Sequence, residues 1–152
     1  MGMEYAYFVG PAVSALGGSL ATRSGMPWYQ RQKKPGFTPP DWVFGPVWSG
    51  LYAMMALSAR RISKGPRSRP RQVALRLWWT QLAFNAAWTP LFFGARRKRA
   101  ALADLALLLP AVGGYMLAAR KVDRTASWMM APYLLWSTFA FALNEELLRL
   151  NR

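Results

Sequence analysis

Charge is segregated along this chain to a degree that leaves few folds open. Twenty Lys and Arg and six acids fall almost entirely between five apolar runs, at residues 5–21, 42–59, 77–94, 100–119 and 126–143. Each run is about the length an α-helix needs to cross roughly 30 Å of hydrocarbon at 1.5 Å per residue. A mean hydropathy of only +0.05 conceals this alternation, because the basic gaps cancel the apolar runs. A soluble domain of 152 residues would have to bury five helices that are apolar around most of their circumference, and it holds too little amphipathic sequence to cover them. The fold class expected is therefore an all-α membrane protein, one domain over residues 1–152 built as a five-transmembrane-helix bundle.

A net charge of +14 would otherwise suggest a nucleic-acid partner. The span lengths argue against that, and the basic gaps fit anionic lipid headgroups instead. The first run is not expected to be a signal peptide. Its leading residues carry Glu4 and no Lys or Arg, and no small-x-small cleavage pattern closes it. Gly10, Ser14, Gly18 and Ala21 recur along it at near-helical spacing, which in lipid lets a neighbouring backbone come close. Five spans place the termini on opposite sides, and the twenty Lys and Arg then divide equally between the two sides. The positive-inside rule gives no orientation for such a chain.

Cys and His are both absent, which removes disulfides, thiolate nucleophiles, imidazole bases and the usual haem and zinc ligands. No metal site and no required cofactor are expected. The Met residues read as packing or lipid-facing groups. Asp104 is the single acid well inside a run, at the start of the fourth span, where an interfacial cap or loop partner is a simpler role than a proton relay.

The polar and aromatic residues within the runs lie at helical spacing. Gln81, Asn85, Trp88 and Phe92 form one stripe of the third span, with Ala83, Ala87, Pro90 and Gly94 on the opposite, small-residue side. Phe44, Trp48, Tyr52 and Met55 form a stripe of the second span; Pro132, Trp136, Ala140 and Leu143 form one of the fifth. Three aromatic faces suit either a plain core or a cavity for a flat, largely apolar ligand. Residues 23–41 are expected to form a lid loop, held extended by Pro35, Pro39 and Pro40 until a helix begins near Asp41. Within it Trp28, Lys34 and Phe37 stand at the mouth.

These stretches resemble the TspO/MBR family, bacterial relatives of the mitochondrial translocator protein or peripheral benzodiazepine receptor. The resemblance runs through WYQRQKKPGFTPPDWVFGPVWSGLY at 28–52, QLAFNAAWTPLFFGAR at 81–96, ALADL at 101–105 and APYLLWSTFAFALN at 131–144, in order and with matching spacing. It implies five transmembrane helices, commonly a homodimer, with a pocket covered by the loop after the first helix. The homodimer contact is expected on the face of Ala83, Ala87, Pro90 and Gly94. Family members bind protoporphyrin IX, haem, sterols in animals and synthetic isoquinoline carboxamide or benzodiazepine ligands.

Carried onto matching positions, the pocket comprises Phe44, Gly45, Val47, Trp48, Tyr52, Asn85, Trp88, Ala103, Leu107, Trp136, Ala140 and Leu143. Trp48, Trp88 and Trp136 would sandwich a ring, Tyr52 and Asn85 would orient its polar edge, and Ala140 would leave room. Arg31, Lys33 and Lys34 of the lid would meet porphyrin propionates or headgroups. Gln32, Phe37 and Ala100 depart from the family pattern, and after Ala140 no Tyr follows to complete a sterol motif. The leading expectation is an integral membrane receptor or sensor of tetrapyrroles. A porphyrin, sterol or lipid carrier is a second. A light- and oxygen-dependent degradation of protoporphyrin IX, using Trp48 and Trp136 as redox-active partners, is a third.

Overall fold

A computed structural model of the chain describes residues 2–152, with side chains from Glu4 onward. Five long helices and one short one account for nearly all of it: α1 (Gly2–Gln30), α2 (Asp41–Ser63), α3 (Arg69–Thr89), α4 (Lys98–Ala119), α5 (Arg124–Met129) and α6 (Ala131–Leu150). No strand occurs among the described residues. α4 alone among them is long and apolar enough, by length and composition, to cross a membrane. The other long helices carry Arg together with Gly, Pro, Trp or Tyr, which lowers their hydropathy.

The helices run past the apolar runs, with α2 ending at Ser63 rather than 59 and α3 starting at Arg69 rather than 77, and three further differences have local reasons. The lid is shorter than 23–41, because α1 continues to Gln30 and carries Arg23 and Trp28 within it. Pro27 removes one backbone donor from that last segment. Tertiary contact holds the segment helical nonetheless: Gly25 approaches Phe93 so closely that an added Cβ would lie 2.4 Å from the Phe93 carbonyl oxygen, and Tyr29 packs edge-on against Phe92 and Phe93. Next, the third run ends in a π-helical turn, Pro90–Gly94, where the Ala95 amide donates to the Pro90 carbonyl at 2.8 Å. Proline 90 has no N–H for the ordinary ladder, and the widened turn accommodates that loss.

The fifth run, finally, is broken. Asp123 caps α5 by accepting from the Ala126 amide at 3.1 Å, and α5 closes when the Met130 amide donates to the Ser127 carbonyl. Pro132 cannot extend that ladder, so a new helix starts at Ala131 and runs to Leu150, beyond the expected end at 143.

The long helices close into a ring in the order α1, α2, α6, α4, α3. α1 and α3 run parallel, in register from Tyr7 beside Trp78 to Ser14 beside Asn85 and Gly18 beside Thr89. α2 runs antiparallel to α6, with Phe44 near Trp136 and Trp48 near Tyr133. Two buried apolar clusters fill the ring. One lies toward the N-terminal end around Met55, Ile62, Trp78, Val112, Tyr115 and Tyr133; the other lies under the lid around Tyr29, Phe92, Ala101 and Leu147. The Trp78 indole is fully buried and donates to the Met55 carbonyl at 3.1 Å, which pins α3 to α2.

Candidate ligand site between the clusters

Between the two apolar clusters the bundle turns polar. Asn85 of α3 is 6% exposed and sits at the centre of a hydrogen-bonded set drawn from four helices. Its Oδ1 accepts from the Tyr52 hydroxyl of α2 at 2.7 Å and from the Ser14 hydroxyl of α1 at 3.0 Å. Its Nδ2 donates to the Tyr133 hydroxyl of α6 at 2.8 Å. Such a set, anchored on three helices besides its own, holds the Asn85 side chain in one rotamer. The Tyr rings thereby become fixed walls.

Those walls continue into an aromatic group. Trp48 packs on Tyr52 at 5.5 Å between ring centres, on Tyr133 at 6.3 Å and on Trp136 at 6.4 Å; Trp136 also meets Phe44 edge-on at 5.6 Å. Outside this group a groove of about 460 Å³ opens between α2 and α6, lined by Pro39, Val47, Leu51, Pro132, Leu135, Trp136 and Phe139. Every one of these side chains is apolar or aromatic. A flat apolar molecule would find the Trp136 and Phe139 rings of α6 on one side and Val47 and Leu51 of α2 on the other.

Not all the expected residues converge. Phe44, Val47, Trp48, Tyr52, Asn85 and Trp136 gather around the groove and the polar set, and Ala140 and Leu143 follow Trp136 along α6, partly buried. Trp88 does not join Trp48 and Trp136 in a three-ring sandwich. It stacks on Phe92 at 4.9 Å and donates to Asn144 Oδ1 at 3.3 Å, so it belongs to the cluster under the lid. Ala103 and Leu107 lie on the outer surface of α4, where Leu107 is 56% exposed, and Gly45 is also exposed. Asp104 does not face a loop as a cap would. It is buried, and its Oδ2 has no hydrogen-bond partner among the described residues. Gln81, one turn from Asn85, is fully buried with neither amide atom partnered there.

Sequence reasoning passed over Tyr133 and Ser137, and read Ser14 only as a small residue for close helix packing rather than as a partner of Asn85. The stripe chosen on the fifth span, Pro132–Trp136–Ala140–Leu143, is one position out of register with the buried face of α6, which carries Tyr133, Ser137, Asn144 and Leu147. Polar residues at 133, 137 and 144 were the available signal, since in a helix of this composition they mark the face turned inward.

The lid, residues 31–40, is tied down at both ends. The Asn151 side chain grips the Lys33 backbone, accepting from its amide at 2.9 Å and donating to its carbonyl at 2.8 Å. Gln30 donates to Asp41 at 2.9 Å, and Lys98 donates to Gln32 at 3.0 Å. Phe37 packs edge-on against Phe139 at 6.0 Å, above the groove. Lys34 donates to Gln30 and lies 4.8 Å from the Tyr29 ring centre, while Arg96 and Lys98 flank the Trp28 ring. Arg96 holds φ at 56°, a strained value for a side-chain-bearing residue, where the π-helical turn gives way to α4.

Comparison with known proteins agrees with this architecture. The sequence model described as the TspO/MBR family matches residues 7–150. The chain is 38% identical to the tryptophan-rich sensory protein of Cereibacter sphaeroides over 99% of its own length and 95% of that protein. It is likewise 38% identical to the human translocator protein, over 85% of this chain and 78% of that one. With the tryptophan-rich protein TspO of Archaeoglobus fulgidus it shares 34% identity over 92% and 90% of the two chains.

Proposed function

Because the chain belongs to the TspO/MBR family, we propose that it is an integral membrane receptor or sensor whose five long helices span the bilayer and whose α2–α6 groove takes a flat tetrapyrrole such as protoporphyrin IX or haem. The observation that carries this reading is the aromatic group of Phe44, Trp48, Tyr133 and Trp136 beside an open, wholly apolar groove and backed by the Asn85 hydrogen-bond set. In water an apolar groove of that size would be a liability, whereas in lipid it is a side entrance. The spanning geometry is supported by two exposed indoles. Trp42, 75% exposed, stands at the lid end, and Trp128, 72% exposed, at the other, as interfacial Trp residues do. From Trp42 to Arg60 along α2 the rise is about 27 Å, close to the hydrocarbon thickness.

In this reading Trp48 and Trp136 contact the ring, Phe44 and Val47 seal its flank, and Ala140 limits its depth. Tyr52 and Asn85 set the inner boundary, while the lid cations Lys33 and Lys34 face the propionates. No catalytic acid, base, metal or required cofactor takes part. The receptor functions as a homodimer through the small-residue face of α3 and the π-helical turn after it, Ala83, Ala87, Pro90 and Gly94, of which Ala87 is half-buried and the other three are exposed.

The test is titration of the detergent-solubilised chain with protoporphyrin IX, followed by Trp fluorescence, alongside Trp136→Phe and Ala140→Leu. Saturable quenching weakened by both substitutions is the expected result. Linear, nonsaturating quenching of the wild type would reject porphyrin as the ligand class. Bleaching of the bound porphyrin under light, lost in Trp136→Phe, would replace the receptor reading with turnover.

A further inference from the structure

At the end of the bundle opposite the lid, a second groove of about 200 Å³ runs between the first turn of α3 and the last turns of α4, lined by Arg69, Pro70, Val73, Ala118 and Lys121. We propose that it binds one anionic phospholipid, with the phosphate between Arg69 and Lys121 and an acyl chain along Pro70, Val73 and Ala118. Two cations rim a groove whose remaining walls are apolar, which is the polarity of a phospholipid at the boundary between headgroups and hydrocarbon.

The acids at this end are engaged elsewhere. Glu4 faces Arg60 at 4.0 Å and Asp123 pairs with Arg61 at 2.9 Å, whereas neither Arg69 nor Lys121 forms an ion pair with a described carboxylate. Arg67, Arg120 and Arg124 are exposed nearby in sequence. A choline headgroup would meet this positive field with its own cation, so an anionic lipid is favoured over a zwitterionic one. A free phosphate would use the cations and leave the apolar walls bare. A lipid chain would cover them and continue along Leu117, 57% exposed, and Val73, 39% exposed. One turn along the same seam, Gly114 lets Leu77 approach to 3.1 Å of where a Cβ would stand and draws α3 and α4 together.

The inference rests on the membrane reading above and on none of its ligand claims. Flotation of the chain with phosphatidylcholine vesicles reports the membrane reading separately. The test is native mass spectrometry of the full chain in mild detergent with an equimolar mixture of phosphatidylglycerol and phosphatidylcholine. One phosphatidylglycerol is expected to be retained in preference. Arg69→Ala with Lys121→Ala should reduce that retention about ten-fold or more. Val73→Trp, which fills the groove and leaves both cations in place, should reduce it comparably, while Arg96→Ala with Arg97→Ala at the lid end should not. Equal retention of the two lipids by the wild type, or an undiminished preference in either groove variant that keeps its helical circular dichroism, would overturn the site. So would displacement of the lipid by inorganic phosphate as readily as by short-chain phosphatidylglycerol, which would show a simple anion contact.

Discussion

The seam between α3 and α4 and the seam between α2 and α6 are made from similar helices and behave oppositely. The first is closed along most of its length, with Ala74, Leu108, Val112 and Tyr115 buried and Gly114 admitting Leu77. The second touches at few points and leaves the apolar groove in front of Trp136. The closed seam has small residues where backbones must approach. The open seam has rings on both sides, Trp48 from one helix and Trp136 from the other, which meet at 6.4 Å and prop the helices apart. Bulk at the crossing separates scaffold from site.

The sharpest way to break this contrast is to remove a ring from each part. Trp78→Ala, in the packed interior, should destabilise the chain by about 3 kcal/mol or more through the cavity and the lost bond to Met55, read as a lower midpoint of thermal unfolding in detergent. Trp136→Ala, on the open seam, should barely move that midpoint and should weaken protoporphyrin IX by about 2 kcal/mol in fluorescence titration. Equal destabilisation by both would mean that the open seam is core.

Tyr52→Phe tests the boundary between the regions. It deletes a donor to Asn85 Oδ1 while Ser14 still donates there, so the expected loss of stability is about 1 kcal/mol in chemical denaturation. The smallest effect lies at the end of the bundle opposite the lid. Burial would raise the Asp123 pKa, but its bonds with Arg61 and the Ala126 amide outweigh this and hold it below the usual carboxylate value. A depressed folded-state pKa contributes stability above the unfolded value of about 4. That contribution fades as pH falls through the lower folded value, so the unfolding midpoint should decline slightly there, and Asp123→Asn should remove this part of the decline.

What could be read in advance follows from periodicity. The stripes Gln81–Asn85–Trp88–Phe92 and Phe44–Trp48–Tyr52–Met55 both turn inward, because side chains three and four apart share a face whatever surrounds the helix. The same rule, applied one residue out of phase, chose Trp136 on α6 and missed Tyr133. Aromatic residues stand on more than one face of α6, with Trp136 and Phe139 on the groove and Tyr133 buried, so its rings alone did not fix the phase. Family resemblance placed Ala103 and Leu107 in the pocket, and this structure turns them outward on α4.

By itself the sequence determined that there would be five long helices, that α2 would start near Asp41 behind a proline-held loop, and which faces of α2 and α3 would be buried. Those are consequences of composition, proline geometry and a repeat of 3.6 residues, all of them local. Only the tertiary structure decided that Ser14 would reach Asn85 across 71 positions of chain, that Trp88 would stack beneath the lid, that Asp104 would face inward, and which seam would stay open. Such pairings depend on where helices cross and how much bulk meets at the crossing, and no single helix encodes the volume its neighbour brings.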